Sequence, residues 1–166
     1  GRRADNLEQA IEHYCQALEV RTRQTCPDQW ANIQNNLGNA FTDRVAGERA
    51  ENLERAIEHY RRALEVYTRQ AFPQQWAMVH NNLANVYFRR VVGVRAENLE
   101  QAIEHCRQAL QVYTRQAFPA DWAMLQNNLG LAYKDRIRGE RARNLEQAIE
   151  HFTQALEVYT QEAFPE

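Results

Sequence analysis

Paired asparagines are the most regular polar feature of this sequence. Asn35–Asn36 recurs as Asn81–Asn82 and as Asn127–Asn128, each time 46 residues further along the chain. Asparagine is a poor helix former, costing about 0.6 kcal/mol relative to alanine, so two in succession within helix-like segments need a cause. A carboxamide both donates and accepts hydrogen bonds, as does the backbone of an extended peptide. The pairs therefore predict a row of peptide-binding amides or, alternatively, a row of structural hydrogen bonds between neighbouring elements.

The residues at helical spacing around these pairs fall on one predicted helix face. That face is polar in the first copy and mixes apolar and charged residues in the other two. Exposed methionine, phenylalanine and leucine predict apolar pockets for a partner's side chains, whereas the alternative is that they fill the inner side of a curved array. The predicted peptide-binding residues are Asn32, Asn35, Asn36, Asn39, Met78, Asn81, Asn82, Asn85, Phe88, Arg89, Met124, Asn127, Asn128, Leu131 and Lys134.

Positions that differ between the copies of this face are expected to set binding specificity. In the order of the three copies they are Asn32/Met78/Met124, Asn39/Asn85/Leu131, Thr42/Phe88/Lys134 and Asp43/Arg89/Asp135. A clamp for a peptide carboxylate would need several basic side chains. Only Arg89 and Lys134 qualify, and two aspartates oppose them, so the sequence disfavours such a clamp.

No other pattern predicts catalysis, a metal or a cofactor. Four histidines recur every 46 residues without further ligands at metal spacing, so we predict that they pack between helices; they are His13, His59, His105 and His151. Neither a phosphate-cradling glycine loop nor a nucleophile–base pair is recognisable. We therefore expect a protein that is not an enzyme and has no cofactor.

The three cysteines, Cys15, Cys26 and Cys106, occupy unrelated positions of the repeat. They predict neither a disulfide framework nor a zinc site. Cys106 replaces the tyrosine or phenylalanine of the other copies and is interpreted as an apolar substitute. Cysteines of this kind are typical of a reducing compartment, so a cytoplasmic location is expected.

The charge balance excludes two classes of partner. With 20 basic and 22 acidic residues, the net charge is −2, whereas nucleic-acid binding depends on a basic surface that displaces counterions. No polybasic segment suits an anionic membrane, and the apolar runs are too short to cross a bilayer. We expect no nucleic acid and no membrane among the partners.

Two alternating helix types are predicted to position these residues. Helix type B begins with Asn-Leu-Glu and type A with Trp-Ala, and each carries one apolar stripe with a period of 3.6 residues. Asn52 and its equivalents are predicted N-caps of type B. The order is B-A-B-A-B-A-B, and the seven predicted helices cover residues 5–24, 28–46, 52–70, 74–92, 98–116, 120–138 and 144–162.

Small residues at matched positions predict how these helices pair. Gly38, Ala84 and Gly130 in type A face an alanine that recurs in type B, and small residues let two helices approach closely. We expect antiparallel A–B hairpins with Gly93 and its equivalents in the left-handed conformation after each A helix. Gly1 falls in register with these glycines, so the chain is expected to be a piece of a longer array.

Two sets of arginines are predicted to lie at the loops between A and B helices. They either cap helix ends and pair with nearby acidic residues, including Asp43, Asp135, Glu51 and Glu97, or form a basic stripe for acidic partners. The two sets are Arg44, Arg90 and Arg136, and Arg3, Arg49, Arg95 and Arg141.

These segments resemble the tetratricopeptide repeat (TPR). Residues 36–41, Asn-Leu-Gly-Asn-Ala-Phe, resemble the first helix of that repeat, and residues 56–66 resemble the second. The 46-residue period exceeds the usual 34 and is similar to that of kinesin-light-chain-type and bacterial regulatory arrays. The resemblance implies an all-α, right-handed α-solenoid of antiparallel helix pairs, whose A helices line a concave surface for peptide segments of partners.

The expected organisation is a single repeat array over residues 1–166. It comprises helix B of a partial repeat at 1–26 and three repeats at 27–72, 73–118 and 119–166. The predicted function is protein–protein interaction through the A-helix groove. The alternative is a structural spacer or self-associating scaffold for an effector domain elsewhere in a longer chain, with end-to-end self-association of the array as a corollary.

Overall fold

Seven helices make up the regular secondary structure of residues 2–163. The computed structural model describes residues 2–163, and the side chains of residues 4–160. Within these bounds there is no strand, so the predicted all-α helical-repeat (α-solenoid) class is confirmed. The helices are α1 (Arg2–Val20), α2 (Pro27–Asp43), α3 (Arg49–Leu64), α4 (Pro73–Arg89), α5 (Arg95–Leu110), α6 (Pro119–Asp135) and α7 (Arg141–Ala163).

The A helices are α2, α4 and α6, and each begins at a proline, one residue before its predicted start. Proline suits the first helical position because its missing N–H would have no partner there. Each A helix ends at least three residues before its predicted end, at Asp43, Arg89 or Asp135. The predicted ends were wrong because the following segment turns away to build the loop to the next helix.

The B helices are α1, α3, α5 and α7, and they differ from prediction at both ends: α3 and α5 each begin three residues earlier and end six residues earlier than predicted. The early end of α3 arises because the chain tightens there into a turn, in which Val66 N donates to the Ala63 carbonyl oxygen.

α3 begins at Arg49, so Asn52 lies inside the helix and is not its N-cap; the N-cap residue is Glu48, without a side-chain capping bond. Asn52 is not the N-cap because its side-chain amide forms a hydrogen bond to the preceding loop instead. Its Nδ2 donates to the Ala46 carbonyl oxygen at 2.9 Å.

The same loop arrangement recurs at the other A–B connections. Asn98 Nδ2 donates to the Val92 carbonyl oxygen, and Asn144 Nδ2 donates to the Arg138 carbonyl oxygen, both at 2.9 Å. Three glycines adopt positive φ, as predicted, at +77°, +81° and +82°. Only glycine takes this backbone region without strain, so each loop has a fixed reverse turn; the glycines are Gly47, Gly93 and Gly139.

The loop arginines confirm the capping interpretation. Arg49, Arg95 and Arg141 each donate to a carbonyl oxygen in the last turn of the preceding A helix, respectively that of Thr42, Phe88 and Lys134. The equivalent Arg3 lies outside the residues whose side chains are described, and so does the predicted register of Gly1. The other set pairs differently from prediction.

Arg44 forms a two-point ion pair with Glu8, at 2.8 and 2.7 Å, and Arg136 does so with Glu100, at 2.8 and 3.0 Å. The hydrogen bond from each arginine lowers the pKa of the carboxyl group it contacts. Each pair ties a B helix to the loop after the next A helix. Bidentate geometry is what makes such pairs specific.

The chain divides into two compact units, Gly1–Asn82 and Leu83–Glu166. In the first unit, α1, α2 and α3 pack with the first part of α4 around Leu37, Leu53 and Tyr60, all nearly inaccessible to solvent. In the second unit, the last part of α4 packs with α5, α6 and α7 around Leu99 and Leu125. The predicted division into repeats at 27–72, 73–118 and 119–166 stays a prediction.

Gly38 and Gly130 lie against aromatic rings of the B helices and not against the recurring alanine that was predicted. A Cβ atom on Gly38 would lie 2.5 Å from Cε1 of Tyr60, and one on Gly130 would lie 2.6 Å from Cε1 of Phe152. Carbon atoms in contact need about 3.5–4.0 Å, so glycine is required beside these rings. The aromatic ring on the B helix occupies the volume that the glycine leaves open.

Candidate functional site

The first unit carries a hydrogen-bonded row of amides between α2 and α4. Asn82 donates through Nδ2 to Asn35 Oδ1 at 3.1 Å and to Asn39 Oδ1 at 3.2 Å. The buried Tyr60 hydroxyl also donates to Asn39 Oδ1, at 2.7 Å. These bonds join two A helices and a B helix, and they hold the exposed Asn39 side chain in one orientation.

Some amide atoms of this row remain available. Asn36 Nδ2 donates to Asn32 Oδ1 at 2.9 Å, a bond between successive turns of α2. Asn36 Oδ1 and Asn39 Nδ2 make no hydrogen bond to any described residue. Asn36 is half-buried, while Asn32 and Asn39 are exposed. One acceptor and one donor therefore face outward on α2. An extended peptide backbone offers the complementary donor and acceptor.

Two of the predicted binding residues lie beneath this surface. Asn35 is 3% exposed and Asn81 is 7% exposed. Asn35 accepts the hydrogen bond from Asn82, so its amide supports the row instead of facing outward. Met78, one turn before Asn82 on α4, is half-buried.

In the second unit, four of the predicted residues come together around one small pocket. Its volume is about 20 Å³, room for about one water molecule. The predicted residues that line it are Asn85, Phe88, Asn128 and Leu131, and the remaining lining residues are Ala84, Ala102 and Cys106. The pocket lies where α4, α5 and α6 meet, so residues from two A helices and a B helix contribute to it.

The other predicted residues of the second unit lie away from this pocket. Met124 and Asn127 are half-buried on α6, and Arg89 and Lys134 are exposed at helix ends. Lys134 Nζ lies 3.9 Å from the carboxylate of Asp135. Arg89 makes no ion pair with any described residue.

Three of the four B-helix histidines pack against A helices as predicted; they are His59, His105 and His151. His13, in contrast, is exposed on α1. His59 stacks on Phe41 with ring centroids 5.4 Å apart, and its Nδ1 lies 2.7 Å from Gln34 Oε1. Burial and, to a lesser extent, the nearby guanidinium of Arg62 lower the pKa of His59 to about 4. His59 is therefore neutral at pH 7, with Nδ1–H donating to the glutamine.

The second unit repeats this histidine–glutamine contact. His151 Nδ1 lies 2.6 Å from Gln126 Oε1, and its ring stacks on Tyr133. The sequence analysis missed the pairing, although histidine and glutamine recur with the same 46-residue period. His80, which occupies the glutamine position of the middle copy, was expected to be partly exposed; it is buried, with its ring 4.3 Å from that of Trp76.

Cys106 lies at the base of the second-unit pocket and is 1% exposed. Burial raises the pKa of its thiol to about 12. All three cysteines are free. Among the described residues, no three His, Cys, Asp or Glu side chains converge on a point that would hold a metal ion, and no helix there has the length and apolar character of a membrane span.

Two family models match the chain. The model described as "Soluble NSF attachment protein, SNAP" matches residues 66–165, and the Sel1 repeat model matches residues 1–19 and 34–65. Both are TPR-like helical repeat families, which confirms the resemblance predicted from the sequence. Families of this type are generally protein-interaction scaffolds without enzymatic activity. No curated protein and no solved structure matches the chain.

Proposed function

The chain belongs to the soluble NSF attachment protein (SNAP) family of TPR-like helical repeats, and on that premise we propose that it binds an extended peptide segment of a partner on its A helices. In the first unit such a segment would contact the outward amides of α2, and in the second unit it would contact the mouth of the pocket. A cytoplasmic setting remains part of this proposal.

The amide row of the first unit is the observation that carries the proposal. Hydrogen bonds fix Asn39 and Asn82 in place before any ligand arrives, so a partner loses little affinity to ordering these side chains. The unused Oδ1 of Asn36 and Nδ2 of Asn39 present an acceptor and a donor on one surface. An extended peptide backbone alternates these two groups, and amides that pair with it need no particular side-chain sequence.

Half-buried apolar side chains of the second unit add a second kind of contact. Phe88 and Leu131 line the pocket together with Asn85 and Asn128. Apolar groups beside amides suit a ligand whose backbone forms hydrogen bonds while one side chain is withdrawn from water. This combination is typical of peptide-binding surfaces, where a few polar groups fix orientation and burial supplies affinity.

Alanine replacement of two outward amides tests the proposal. A random peptide library is first selected on the wild-type chain, and the affinity of the enriched peptides is then measured for the variant Asn36→Ala/Asn85→Ala, which removes one amide from each of the two proposed contacts. Each lost hydrogen bond should weaken binding roughly two- to tenfold. The matched control, Gln9→Ala/Gln101→Ala, removes the same chemical group from exposed positions of B helices and should bind normally. No enrichment on the wild type, or equal affinities for both variants, would overturn the proposal.

Self-association is a second candidate function, favoured by the surface of α7. Leu145, Ile149, Leu156 and Tyr159 are exposed, whereas Leu99 and Ile103, the counterparts of the first two on α5, are buried. An apolar stripe of this kind on a helix surface is a recognised mark of an interaction site. A scaffold that assembles through α7 would show a mass that rises with concentration in light scattering, without any peptide ligand.

A further inference from the structure

The loop between α4 and α5 differs in charge from the two equivalent loops of the other repeat copies. Residues 43–49 contain two acidic and two basic side chains, and residues 135–141 contain two acidic and three basic ones. Residues 89–95 contain three arginines and no acidic residue. Arg89 stands where both other copies have aspartate, and Val94 stands where both have glutamate. The middle loop therefore lacks the carboxylates that balance the arginines of the other two.

The three arginines of this loop, Arg89, Arg90 and Arg95, line one pocket within the second unit, hereafter the arginine pocket. Its volume is about 360 Å³, within the range of small-ligand sites. The remaining described residues that line it are Phe88, Val91, Gly93 and Asn98. None of these lining residues is acidic, and a cleft lined by charges of one sign attracts ligands of the opposite sign.

Neighbouring groups hold two of the arginine side chains at the pocket. Arg95 lies over the Phe88 ring, 5.2 Å from its centroid, and donates to the Phe88 carbonyl oxygen. Arg90 Nη1 donates to Asn98 Oδ1 at 3.1 Å. A guanidinium has several N–H donors, and Nε and Nη2 of Arg95 form no hydrogen bond to a described residue. Both side chains are thus ordered before a ligand arrives, which limits the entropy lost on binding.

Arg89 supplies the cation that has no anionic partner. Its side chain is exposed, and it makes no ion pair with any described residue. Asp135 opposes the site, since its Oδ2 lies 4.0 Å from Arg95 Nη2, but it also lies 3.9 Å from Lys134 Nζ. Arg95 therefore has an acidic neighbour only beyond hydrogen-bond distance, and an incoming anion can contact both arginines.

The first turn of α5 begins without the acidic N-cap residue of α3. Glu48 is the N-cap residue of α3, whereas Val94 is that of α5. Amide N–H groups at a helix N-terminus favour an anion. Glu97 of that turn is exposed, with Oε1 3.9 Å from Arg138 Nη2. Because α4 ends at Arg89 with the opposite dipole, the arginines decide the sign of the charge that binds.

We propose that the arginine pocket binds a phosphate monoester. Arg89 and Arg95 contact the phosphate oxygens, because planar guanidinium groups donate paired hydrogen bonds to phosphate. A phosphate group alone fills only part of about 360 Å³, so the organic group of the ester lies against Phe88 and Val91. The ester is either a small molecule or a phosphorylated side chain of a partner, and both carry the same anionic group. This site goes beyond the proposed peptide binding and does not depend on it, since the amide row of α2 contributes no residue to the pocket.

NMR titration of the whole isotope-labelled chain with phenyl phosphate, inorganic phosphate and benzoate tests the proposal. Phenyl phosphate should saturably shift the Gly93 amide signal and the Nε–H signals of Arg89 and Arg95. It should bind roughly tenfold more tightly than benzoate, because its charge at pH 7 is about twice as large. Inorganic phosphate should shift the same signals at higher concentration, because it lacks the ring. No saturable shift with phenyl phosphate, or equal affinity for benzoate, would overturn the proposal.

Reversing the charge at Arg89 tests the first of the two proposed contacts. Arg89→Asp introduces the residue of the other two copies at an exposed helix end, and it should weaken phenyl phosphate binding roughly tenfold or more at low salt. Arg21→Asp is the matched control, because Arg21 is also exposed and without an ion pair to a described residue. This control changes the net charge equally and should bind normally. Equal losses for the two variants would show that only net charge matters and would overturn the pocket.

Removing the charge of Asp135 tests the second contact in the opposite direction. Asp135→Asn should tighten phenyl phosphate binding about two- to threefold, because it removes the carboxylate beside Arg95. Partial unfolding cannot raise affinity, so this variant decides the matter even if Arg89→Asp is unstable. Unchanged or weaker binding by Asp135→Asn would contradict a phosphate contact at Arg95.

Peptides that carry one phosphotyrosine or phosphoserine distinguish the two sources of the phosphate group. A library of such peptides that yields ligands at least tenfold tighter than phenyl phosphate would identify a phosphorylated partner. A library that yields none would identify a small phosphate ester. Both results support the pocket, provided that Arg89→Asp weakens the ligand and Arg21→Asp does not; a ligand that both variants bind as the wild type does would overturn it.

Discussion

The side chain of Asn98, inside the first turn of α5, donates a 2.9 Å hydrogen bond to the carbonyl oxygen of Val92 in the loop before it. Arg90 Nη1 in turn donates to Asn98 Oδ1 at 3.1 Å, and the Asn98 side chain is buried. A single carboxamide thus satisfies a loop carbonyl and holds an arginine. Its removal would leave both groups without this partner in a place that water reaches poorly.

We therefore expect Asn98→Ala to lower the free energy of unfolding by about 1–3 kcal/mol, the usual cost of unsatisfied buried polar groups. Chemical denaturation would measure it. Asn6 is the equivalent residue of the first copy and is exposed, so Asn6→Ala should change stability by less than about 0.5 kcal/mol. Similar losses for the two variants would show that the loop does not depend on the buried amide.

Gly38→Ala should destabilise the first unit by overpacking. The new methyl group would lie 2.5 Å from the Tyr60 ring, and forcing an extra methyl group into a filled core costs about 1–3 kcal/mol. Tyr60→Cys alone should also destabilise, because a large buried ring is lost. The double variant Gly38→Ala/Tyr60→Cys should be more stable than the sum of the single effects predicts, and thermal unfolding of all four chains completes the cycle. Simple additivity would contradict the contact.

The stability of the first unit should fall as the pH is lowered through the range in which His59 titrates. Its pKa is about 4 in the folded protein, against an ordinary value of 6.5. Between those values the unfolded chain binds more protons, so protonation favours unfolding. The stability that depends on neutral His59 is fully present above pH 6.5 and is lost progressively as the pH falls towards 4. Arg62 and Arg55 oppose the imidazolium, and Glu58 partly favours it.

Histidine NMR titration and urea unfolding at several pH values would check this. His59→Gln, which cannot take up a proton, should show a weaker pH dependence of stability over this interval. A folded-state pKa of His59 near 6.5 would contradict the prediction.

Self-association through α7 predicts opposite outcomes for two equivalent isoleucines. Ile149 is 65% exposed, whereas Ile103 at the same repeat position on α5 is 2% exposed. Ile149→Glu should leave thermal stability nearly unchanged and abolish any rise in mass with concentration. Ile103→Glu should unfold the second unit, because a charge would be buried without a partner. Light scattering and circular dichroism would distinguish them, and self-association that survives Ile149→Glu would exclude this surface.

The existence and order of the helices could be predicted because each carries a periodic apolar stripe and recurs three or four times. The residues at which helices begin were harder to predict than the number and order of the helices. Asn52 has the side chain of a good N-cap, yet it lies in the first turn of α3, because bonding to the Ala46 carbonyl oxygen satisfies it equally well. Local helix propensity cannot distinguish an N-cap asparagine from one whose amide bonds to the preceding loop. Which of the two occurs depends on the path of that loop.

The asparagine face shows a similar limit. Helical spacing placed Asn35 on the same predicted face as Asn36 and Asn39. Asn35 lies at the edge of that face, however, where it is buried in the helix interface and its Oδ1 accepts a hydrogen bond from Asn82. Burial at the edge of a helix face depends on the neighbouring helix, which periodicity does not specify. The pocket beside Cys106 was only partly predictable. The sequence shows that the cysteine replaces an aromatic residue, but the change from glycine to Ala84 can be related to it only once the two positions are known to lie together.

The contact between the A-helix glycine and the B-helix ring also limits the order in which substitutions can convert one repeat copy into another. Starting from a glycine–tyrosine pair like Gly38 and Tyr60, an alanine gained first would overlap the ring, whereas a cysteine gained first leaves only a void. A void can hold water or a guest while the helices stay together. The route to a pair like Ala84 and Cys106 that avoids an overlap at every step therefore loses the ring before it gains the methyl group.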